Sequence, residues 1–477
     1  MWKLRIKKLI LWGVVFCIGS GISWGDIIIS DALGNQTRPQ VVWGEGKYLV
    51  VWDDYRNGQG DIYAQFVDSS GNLIDTNFKL IPGLYEKHIC DISASDSNYF
   101  VLFVDSFYYS KLYGAIVSLQ GTLIGTPFLI GDSVLYAFAC VAWNGEKNLV
   151  AWNHAGEGWS FLSIGKFLSI NGTPLSDTFI ITSFKDSMLI FDLASNNEDF
   201  LLLFLDYHYP SAGILGPTQG MIIHSTGSPL DTLFSIPYSW GQMSVASSSG
   251  DNYLVVHCDG NNGWGPVYGQ MVSSDGRIIG SWFPVSDSQH IGVGDVASNG
   301  ANYLVILFTD CFTSLGHIVG QFVSPNGELI GTDFLVTPIE FDGLSSSLAC
   351  AGNASNYLVV WGIDDSFPSI VEDWNIYGNL VPSVGVEESK TLFPFRLRNF
   401  PNPCHQNPRI SFELNERSNV SFSVWNIAGE LVEKKDLGYK MPGIHIIFLD
   451  KRLSSGIYFY TLKINEYAIT QKMVVLH

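Results

Sequence analysis

Acidic and aromatic residues that could bind a polymer occur together in short polar segments of this chain. Each segment follows a similar apolar run, and nearly all of them combine an aspartate with a large ring. Rings pack against the C–H faces of sugars, while carboxylates accept hydrogen bonds from hydroxyl groups. The candidate ligand-binding residues are Trp159, Trp264, Trp374, Tyr108, Tyr207, Asp54, Asp105, Asp206 and Asp259.

The positions of the four aspartates are equally compatible with a structural role. Asp54, Asp105, Asp206 and Asp259 all lie six residues after the first residue of the preceding apolar run. A residue that recurs at one place in a repeat often caps a turn through hydrogen bonds from its side chain to the backbone. The sequence therefore leaves ligand binding and turn capping open for these aspartates, and it leaves ligand binding and packing open for the tryptophans.

Motifs for catalysis are few. After the predicted signal peptide, residues 26–477 have no Gly-x-Ser-x-Gly segment for a serine nucleophile and no His-Glu-x-x-His segment for zinc. A sialidase-like enzyme needs a cluster of arginines, whereas residues 26–392 contain only Arg38, Arg56 and Arg277. Acids on separate loops can nevertheless meet and hydrolyse a glycan. We predict a binding protein that is not an enzyme, with a glycoside hydrolase or another polymer-degrading enzyme as the alternative.

Calcium is the one cofactor that the sequence suggests. The segments 53–61 and 259–263 carry oxygen ligands at close spacing, but neither matches the twelve-residue calcium loop with its closing glutamate. No motif indicates haem, flavin or nucleotide. We therefore predict that the protein has no cofactor, and we keep calcium as the alternative.

The candidate residues are carried by a tandem repeat. Its landmark is an apolar run that recurs at intervals of 51, 49, 52, 53, 50 and 54 residues. The runs are short and rich in β-branched and aromatic residues, which is typical of strands buried on both faces. The seven copies begin at Tyr48, Tyr99, Asn148, Phe200, Tyr253, Tyr303 and Tyr357.

Six of the repeats also carry a glycine that is followed seven residues later by a phenylalanine, from Gly71 and Phe78 to Gly327 and Phe334. Asn-Gly or Asp-Gly between apolar runs is a strong hairpin signal, because a tight primed turn needs positive φ. We predict such a hairpin at the glycine and a fourth strand that opens at the phenylalanine. Four antiparallel strands in about fifty residues match one blade of a β-propeller.

The two ends of the repeat array complement each other. The seventh copy lacks its Gly-to-Phe strand, and Ile27–Ser30 is an unassigned strand before the first copy. Pairing that strand with the last blade would remove open sheet edges. We predict an all-β chain in which residues 26–382 form a seven-bladed β-propeller of four-stranded blades. Residues 383–392 are then a linker, and the short strands and Gly/Pro turns of 393–477 predict a small β-sandwich.

The C-terminal segment has a motif order of its own. It contains Asn399-Phe-Pro-Asn-Pro403, Trp425-Asn-Ile-Ala-Gly429, Gly443-Ile-His445, Ser455-Gly-Ile-Tyr-Phe-Tyr460 and a terminal Lys-Met-Val-Val-Leu. In this order it resembles the C-terminal sorting domain of the type IX secretion system and its relatives with a hook-capping-type immunoglobulin-like fold. The resemblance implies that residues 393–477 are recognised by an outer-membrane export machine and are often removed at the cell surface. His477 stands where that family usually ends in Lys or Arg.

The repeat itself is similar to a family of uncharacterised secreted bacterial repeats. The family form is Asn-Tyr-Leu-Val-Val-Trp, then Asp-x-Arg, then Asp-Ile-Tyr-Gly. The first copy matches it best, in Tyr48–Trp52, Asp54–Arg56 and Asp61–Tyr63. This resemblance implies an architecture and no reaction.

The N-terminus and the charge indicate an exported protein. A basic stretch, an apolar run and small residues before Asp26 predict a signal peptide over residues 1–25. Residues 26–392 carry 11 basic and 38 acidic side chains, whereas residues 393–477 carry 11 and 7. The negative field disfavours nucleic acid and anionic membranes as partners of the propeller. We expect a secreted or cell-surface monomer that binds an extracellular polysaccharide or protein.

Six cysteines follow the predicted signal peptide, and no two of them form a Cys-x-x-Cys pair. This spacing argues against a zinc or thioredoxin-type site. We expect buried thiols, with disulfides as the alternative, at Cys90, Cys140, Cys258, Cys311, Cys350 and Cys404.

Overall fold

A computed structural model of the 477-residue chain gives two compact units, Gly25–Lys390 and Thr391–His477. The structure describes residues 27–83, 86–106, 110–156, 161–182, 188–206, 218–226, 234–236, 243–247, 252–258, 265–286, 291–309, 317–337, 347–364, 374–383, 395–400, 409–414, 417–427, 429–441, 443–449, 453–465 and 467–475. Among these residues, no helix is long and apolar enough to cross a membrane.

The first unit is a β-propeller of seven four-stranded antiparallel blades, as the repeat predicts. The strands of blades 1 to 3 are β2 (Gln36–Gly44), β3 (Lys47–Asp54), β4 (Asp61–Asp68), β5 (Leu73–Ile81), β6 (His88–Ala94), β7 (Asn98–Val104), β8 (Ser110–Ser118), β9 (Leu123–Trp143), β10 (Asn148–Ala155), β11 (Phe161–Leu168) and β12 (Phe179–Thr182). The long strand β9 ends blade 2 and begins blade 3, so these two blades share one hydrogen-bonded sheet.

Blades 4 to 7 repeat the same strand order. Their strands are β13 (Met188–Ser195), β14 (Phe200–Asp206), β15 (Thr218–Ile223), β16 (Phe234–Ile236), β17 (Met243–Ser247), β18 (Asn252–Cys258), β19 (Val267–Ser273), β20 (Ile278–Ser286), β21 (Ile291–Ser298), β22 (Tyr303–Thr309), β23 (His317–Val323), β24 (Leu329–Leu335), β25 (Leu348–Gly352), β26 (Asn356–Asp364), β27 (Trp374–Pro382) and, from the chain start, β1 (Ile27–Ser30). The first strands contact one another in sequence from β2 through β6, β9, β13, β17, β21 and β25 back to β2, which closes the ring.

The N-terminal strand closes the last blade, so the predicted clasp is confirmed. β1 pairs antiparallel with β27, with Ile27 opposite Gly378 and Ile28 opposite Tyr377. Ile29 is 2% exposed and packs into the apolar cluster between blades 7 and 1. A sheet edge that is paired in this way is not available to other chains.

The landmark run is the second strand of each blade, and its tyrosine joins neighbouring blades. The side chains of these strands are almost all buried, as predicted for strands covered on both faces. The Tyr99 hydroxyl donates to the Gly44 carbonyl of blade 1, and the Tyr357 hydroxyl donates to the Asn302 carbonyl of blade 6. Tyr48, Tyr253 and Tyr303 donate in the same way to the carbonyls of Asn356, Asp199 and Asn252. The repeated tyrosine therefore serves the fold.

The hairpin before the fourth strand differs from the predicted primed turn. The Gly71 N–H donates to the Asp68 carbonyl while the Asp68 N–H donates to the Asn72 carbonyl. Gly71 has φ of 84°, and Ser70 does not have positive φ. This pattern is a three-residue loop that ends in a left-handed glycine, a common alternative to the two-residue turn. The same bonds recur at Gly121, Gly172, Gly276 and Gly327.

The phenylalanine does not open the fourth strand in most blades, which corrects the second part of that prediction. Phe78 lies in the middle of β5, because the strand already begins at Leu73. The ring instead fills the space above a small residue of the third strand. A Cβ on Gly320 would lie 2.6 Å from the Phe334 ring, and Gly114, Gly165, Gly220 and Gly269 face their phenylalanines in the same way.

The second unit contains two sheets. One has the order β28 (Phe395–Phe400), β29 (Arg409–Leu414) and β32 (Gly443–Phe448), and the other has the order β31 (Leu431–Lys440), β30 (Ser418–Asn426), β33 (Gly456–Ile464) and β34 (Tyr467–Val475). One core joins them, with Phe412 and Ile447 from the first sheet and Phe422, Tyr460 and Met473 from the second. This arrangement is the small β-sandwich that the sequence predicts.

Candidate active site

The structure describes four of the nine predicted ligand-binding residues. Trp159, Trp264, Tyr108, Tyr207 and Asp259 lie outside the described residues. Asp206 is the last residue of β14, and only its backbone is described. The remaining three are Asp54, Asp105 and Trp374. The ligand-binding face as a whole therefore stays a prediction.

Asp54 is fully buried at the end of β3. Its carboxylate accepts hydrogen bonds from the Arg56 backbone N–H at 3.0 Å, from the Arg56 guanidinium and from the Trp52 indole at 2.8 Å. This is the turn-capping arrangement that the sequence left open, because the loop itself uses the carboxylate. Asp105 also serves its own loop, since it accepts a hydrogen bond from the Lys111 N–H at 2.9 Å.

Trp374 begins β27 opposite Asp364 and is half-buried. Its backbone N–H donates to the Asn35 side chain at 3.4 Å, which links the last blade to the segment that follows the clasp strand. The backbone of Trp374 is therefore held by the sheet and by Asn35.

Of the two segments that suggested calcium, residues 259–263 lie outside the described residues, and the acids of segment 53–61 are neutralised by basic side chains. Asp53 is fully buried and pairs with the Arg38 guanidinium at 2.7 Å, and Asp61 pairs with Lys79 at 2.7 Å. Arg38 has φ of 54°, a costly conformation that this pairing helps to hold. Among the described residues, no group of three or more His, Cys, Asp or Glu side chains could hold a metal ion.

Three further aspartates, which the sequence analysis did not select, lie on the first strands around the propeller axis. Asp91 of blade 2, Asp192 of blade 4 and Asp295 of blade 6 occupy equivalent positions, opposite Leu102, Leu203 and Ile306 of the neighbouring strands. In each blade the strand register shifts at the aspartate. All three are partly exposed as whole residues, whereas their carboxyl groups are enclosed by the neighbouring first strands.

Each of these aspartates joins its blade to the next one. Asp91 accepts the Ile92 N–H of its own strand at 2.7 Å and the Val141 N–H of blade 3 at 2.8 Å. Asp192 accepts the N–H groups of Leu193 and Val245 at 2.8 Å each. Asp295 accepts those of Val296 and Cys350 at 2.7 Å each. Backbone amides thus fix the orientation of all three carboxyl groups.

The environment favours the protonated form of these carboxyl groups. Burial raises the pKa of Asp91 to about 8, and the nearby Asp192 and Asp295 carboxyls add to the rise. Burial and the neighbouring Asp192 raise the pKa of Asp295 to about 7, and burial also raises the pKa of Asp192. The backbone N–H groups act in the opposite direction but do not outweigh the burial. Perturbed carboxyls of this kind are common in active sites.

Two of the carboxyl groups meet at one hydroxyl. Ser244, on the first strand of blade 5, has its Oγ 2.7 Å from Asp192 Oδ2 and 2.9 Å from Asp295 Oδ1. The serine is buried, while the two aspartates are partly exposed. The sequence carried a weak signal for this group, because Asp91, Asp192 and Asp295 each precede their landmark residue by eight positions.

A separate cavity of about 310 Å³ lies beside blade 3. Trp152, Leu162 and Ile180 line it on the apolar side, and Asp132 and His154 provide its polar groups. The His154 Nδ1 lies 3.1 Å from the Asp132 carbonyl, so the two segments are tied together at the rim. The cavity is mainly apolar.

Residues 398–476 match the family model described as the secretion system C-terminal sorting domain. The β-sandwich unit is such a sorting domain. This agrees with the resemblance drawn from the motif order and shows that the protein is secreted or displayed at the cell surface. No curated protein matches the chain.

Solved structures similar to the chain include peptidases and the β-propeller domain of a protease. A prolyl endopeptidase structure matches with a TM-score of 0.45 and 10% identity, over 82% of this chain and 55% of the other. The β-propeller domain of the Trilobed protease from Pyrococcus furiosus matches with 0.44 and 9%, over 75% and 99%. An acylaminoacyl peptidase from Pyrococcus horikoshii matches with 0.41 and 8%, over 81% and 59%.

These similarities correct the prediction that the protein is not an enzyme. That prediction is wrong on this comparison, because the similar structures include prolyl endopeptidases and acylaminoacyl peptidases. The chain spans between 55% and 59% of the length of those peptidases. Identities of 8 to 10% express a likeness of fold and do not identify a reaction.

Proposed function

We propose that this protein is a secreted or surface-displayed hydrolase of an extracellular polymer, with Asp192 and Asp295 as its acid and base. The observation that carries the proposal is the contact of both carboxyl groups with the single Ser244 hydroxyl, at 2.7 and 2.9 Å. Two carboxyl oxygens that both contact one hydroxyl are closer together than the carboxyl groups of inverting glycosidases, which are about 6.5–9.5 Å apart, and they are close enough to share one proton, as the paired aspartates of aspartic proteases do.

The chemistry requires one neutral and one ionised carboxyl group. The neutral acid donates its proton to the leaving oxygen or nitrogen as the bond to the polymer breaks, and the carboxylate accepts a proton from the attacking water. The water supplies hydroxide to one product and the acid supplies a proton to the other, so that one bond of the polymer is hydrolysed. The reaction requires that water reach the carboxyl groups, and Asp192 and Asp295 are partly exposed as whole residues.

The substrate is a neutral or basic polymer, either a polysaccharide or a polypeptide. Residues 26–392 carry 38 acidic and 11 basic side chains, and such a field repels polyanions. The loop residues Trp159, Trp264 and Trp374 would hold the polymer by packing against its apolar faces. Acid–base catalysis of hydrolysis uses the same proton transfers for a glycosidic bond and a peptide bond, so the substrate screen includes polymers of both kinds.

Export completes the proposed function. Residues 1–25 are a signal peptide for the inner membrane, and residues 393–477 are the address for the outer-membrane machine. The family match over residues 398–476 supports the second step. A polymer-degrading enzyme must be outside the cell because its substrate cannot enter.

Product analysis tests this proposal. The secreted full-length protein is incubated with a panel of neutral and basic polysaccharides and polypeptides, and soluble products are identified by mass spectrometry. Asp192→Asn and Asp295→Asn should each lower turnover by about 10²–10⁴-fold, the usual contribution of a general acid or base. Asp275→Asn is the matched control, because this aspartate is on an exposed turn and pairs with Arg277. Intact polymers throughout, or full activity in both Asn variants, would refute the proposal.

A further inference from the structure

We propose that Ser244 is a positioning residue that holds one shared proton between Asp192 and Asp295, so that one carboxyl of the pair is neutral at pH 7. The proton count does not depend on the proposed function. Only the assignment of the neutral carboxyl as acid and the other as base rests on it.

The proton count follows from the geometry of the hydroxyl. A serine hydroxyl has one hydrogen and can donate to one acceptor at a time. Its Oγ nevertheless lies at hydrogen-bond distance from two carboxyl oxygens, 2.7 Å from Asp192 and 2.9 Å from Asp295. If both carboxyls were ionised, one of these contacts would bring two oxygens together without a hydrogen between them. A proton on one carboxyl supplies the missing donor.

The carboxyl oxygens cannot turn away to relieve this conflict. Each of the four oxygens of Asp192 and Asp295 also accepts a backbone N–H, at distances of 2.7 or 2.8 Å. These bonds come from four first strands, β13, β17, β21 and β25. Backbone donors that belong to a closed ring of blades hold the carboxyls in fixed positions.

Among the residues that the structure describes, no basic side chain interacts with the pair to replace the proton. The titratable side chains that interact with Asp192 and Asp295 are Asp91, Cys140 and Cys350, which are acids. Arg38 and His88 lie on the neighbouring first strands β2 and β6, but Asp53 binds both of them, at 2.7 and 3.1 Å. Burial raises the pKa of both Asp192 and Asp295, in agreement with a retained proton.

The equivalent positions of the other blades provide controls. The residues opposite the fourth residue of each landmark run are Gln40, Asp91, Cys140, Asp192, Ser244, Asp295 and Ala349 in blades 1 to 7. Ser244 is the one hydroxyl in this ring, and it is flanked on both sides by aspartates. Cys140 has the same flanking aspartates, Asp91 and Asp192, but a thiol is a weak donor.

Side-chain ¹³C NMR of the full-length protein, labelled at the aspartate carboxyl carbons, tests the inference. The resonances of the pair are identified by their loss in Asp192→Asn and Asp295→Asn. One of the two carboxyls should remain protonated at pH 7. Ser244→Ala should lower the pKa of that carboxyl by about one unit, since the singly protonated pair loses one more hydrogen bond than the doubly ionised pair. Cys140→Ala should leave the titration unchanged.

Two results would overturn the inference. One is a pair of fully ionised carboxyl resonances at pH 7 in the unmodified protein. The other is an unchanged titration in Ser244→Ala, provided that the thermal unfolding midpoint shows the variant to be folded. Retained protonation in a protein that cleaves no polymer would support the shared proton while refuting the hydrolase, so the two proposals fail separately.

Discussion

Replacing Ile29 by alanine should weaken the closure of the propeller ring. Ile29 lies in the clasp strand β1, is 2% exposed and packs with Val360 and Ile376. The substitution removes three carbon atoms, which at about 0.8 kcal/mol each amounts to roughly 2.4 kcal/mol. The cavity that remains adds to this cost, so we expect a loss of about 2.5–4 kcal/mol of unfolding free energy.

The same strand provides the matched control. Ile28 is 46% exposed on the other face of β1, so Ile28→Ala should cost no more than about 0.5 kcal/mol. Both variants keep the backbone pairing of β1 with β27. The difference between their unfolding free energies therefore measures the burial of the Ile29 side chain rather than the lower β-propensity of alanine.

Urea unfolding of the full-length protein, followed by tryptophan fluorescence, measures the difference. The propeller and the sorting domain are separate units, so the transition of the propeller is identified from the protein truncated after residue 392. Gly378→Ala gives a second test, because a Cβ there would lie 2.9 Å from Ile29 Cδ1 and 3.2 Å from the Val359 carbonyl. If the unfolding free energies of Ile29→Ala and Ile28→Ala differ by less than about 0.5 kcal/mol, packing of the clasp strand does not stabilise the closed propeller.

Three further outcomes are expected. Gly172→Ala should lower the unfolding free energy more than Gly125→Ala. Both glycines have positive φ, but a Cβ at Gly172 would lie 2.3 Å from the Phe128 ring, whereas nothing lies within 4 Å of a Cβ at Gly125. The urea midpoints of the two variants measure the difference. The pKa of Asp91 is raised to about 8, so the folded protein holds a proton that the unfolded chain releases above about pH 4. The free energy of unfolding should therefore fall between pH 5 and pH 8, by up to about 1.4 kcal/mol per pH unit. Asp91→Asn should reduce this slope. Deleting residues 393–477 should leave the propeller in the periplasm of a host with the export machine, as fractionation would show, and unchanged secretion would refute the address.

The repeat could be predicted because its signals are local. A strand buried on both faces must be apolar at nearly every position, and a left-handed turn residue is best served by glycine, so both appear as fixed letters at fixed spacing. The pairing of β1 with β27 followed from counting strands. The turn type could not be predicted from the sequence. A three-residue loop that ends in Gly71 and a two-residue turn both require a glycine in this hairpin, so the glycine alone does not distinguish them.

The axial carboxyls could not be recognised from the sequence because their meaning depends on closure of the ring. Asp192 and Asp295 are 103 positions apart in sequence, and Ser244 connects them only when blades 4, 5 and 6 stand side by side. Eight residues before each landmark run, acids occur in blades 2, 4 and 6 and other residues in the odd blades. This pattern can be seen only after the repeats have been aligned. The loop aspartates were more prominent in the sequence, yet Asp54 is used within its own turn.

Carboxyl and amide side chains accept backbone N–H groups of the next blade at two different places in the described blades. The odd blades 1 and 3 use the end of the second strand, where Asp53 accepts the Ile89 N–H and Asn153 accepts the Ile190 N–H, each at 2.7 Å. The even blades 2, 4 and 6 use the aspartate of the first strand.

These links between blades bear on how the candidate acids can be tested. Asp192 and Asp295 each hold a backbone N–H of the next blade, at 2.8 and 2.7 Å, in addition to any role in catalysis. Replacement by alanine would leave those buried N–H groups without an acceptor, at a cost of about 1–3 kcal/mol each. Asparagine keeps one of the two acceptor oxygens, so it can still accept the N–H of the next blade, but it loses the N–H bond within its own strand together with the titrating proton. A loss of turnover in Asn variants whose unfolding midpoint shows them to be folded at the assay temperature would therefore separate proton transfer from the joining of the blades.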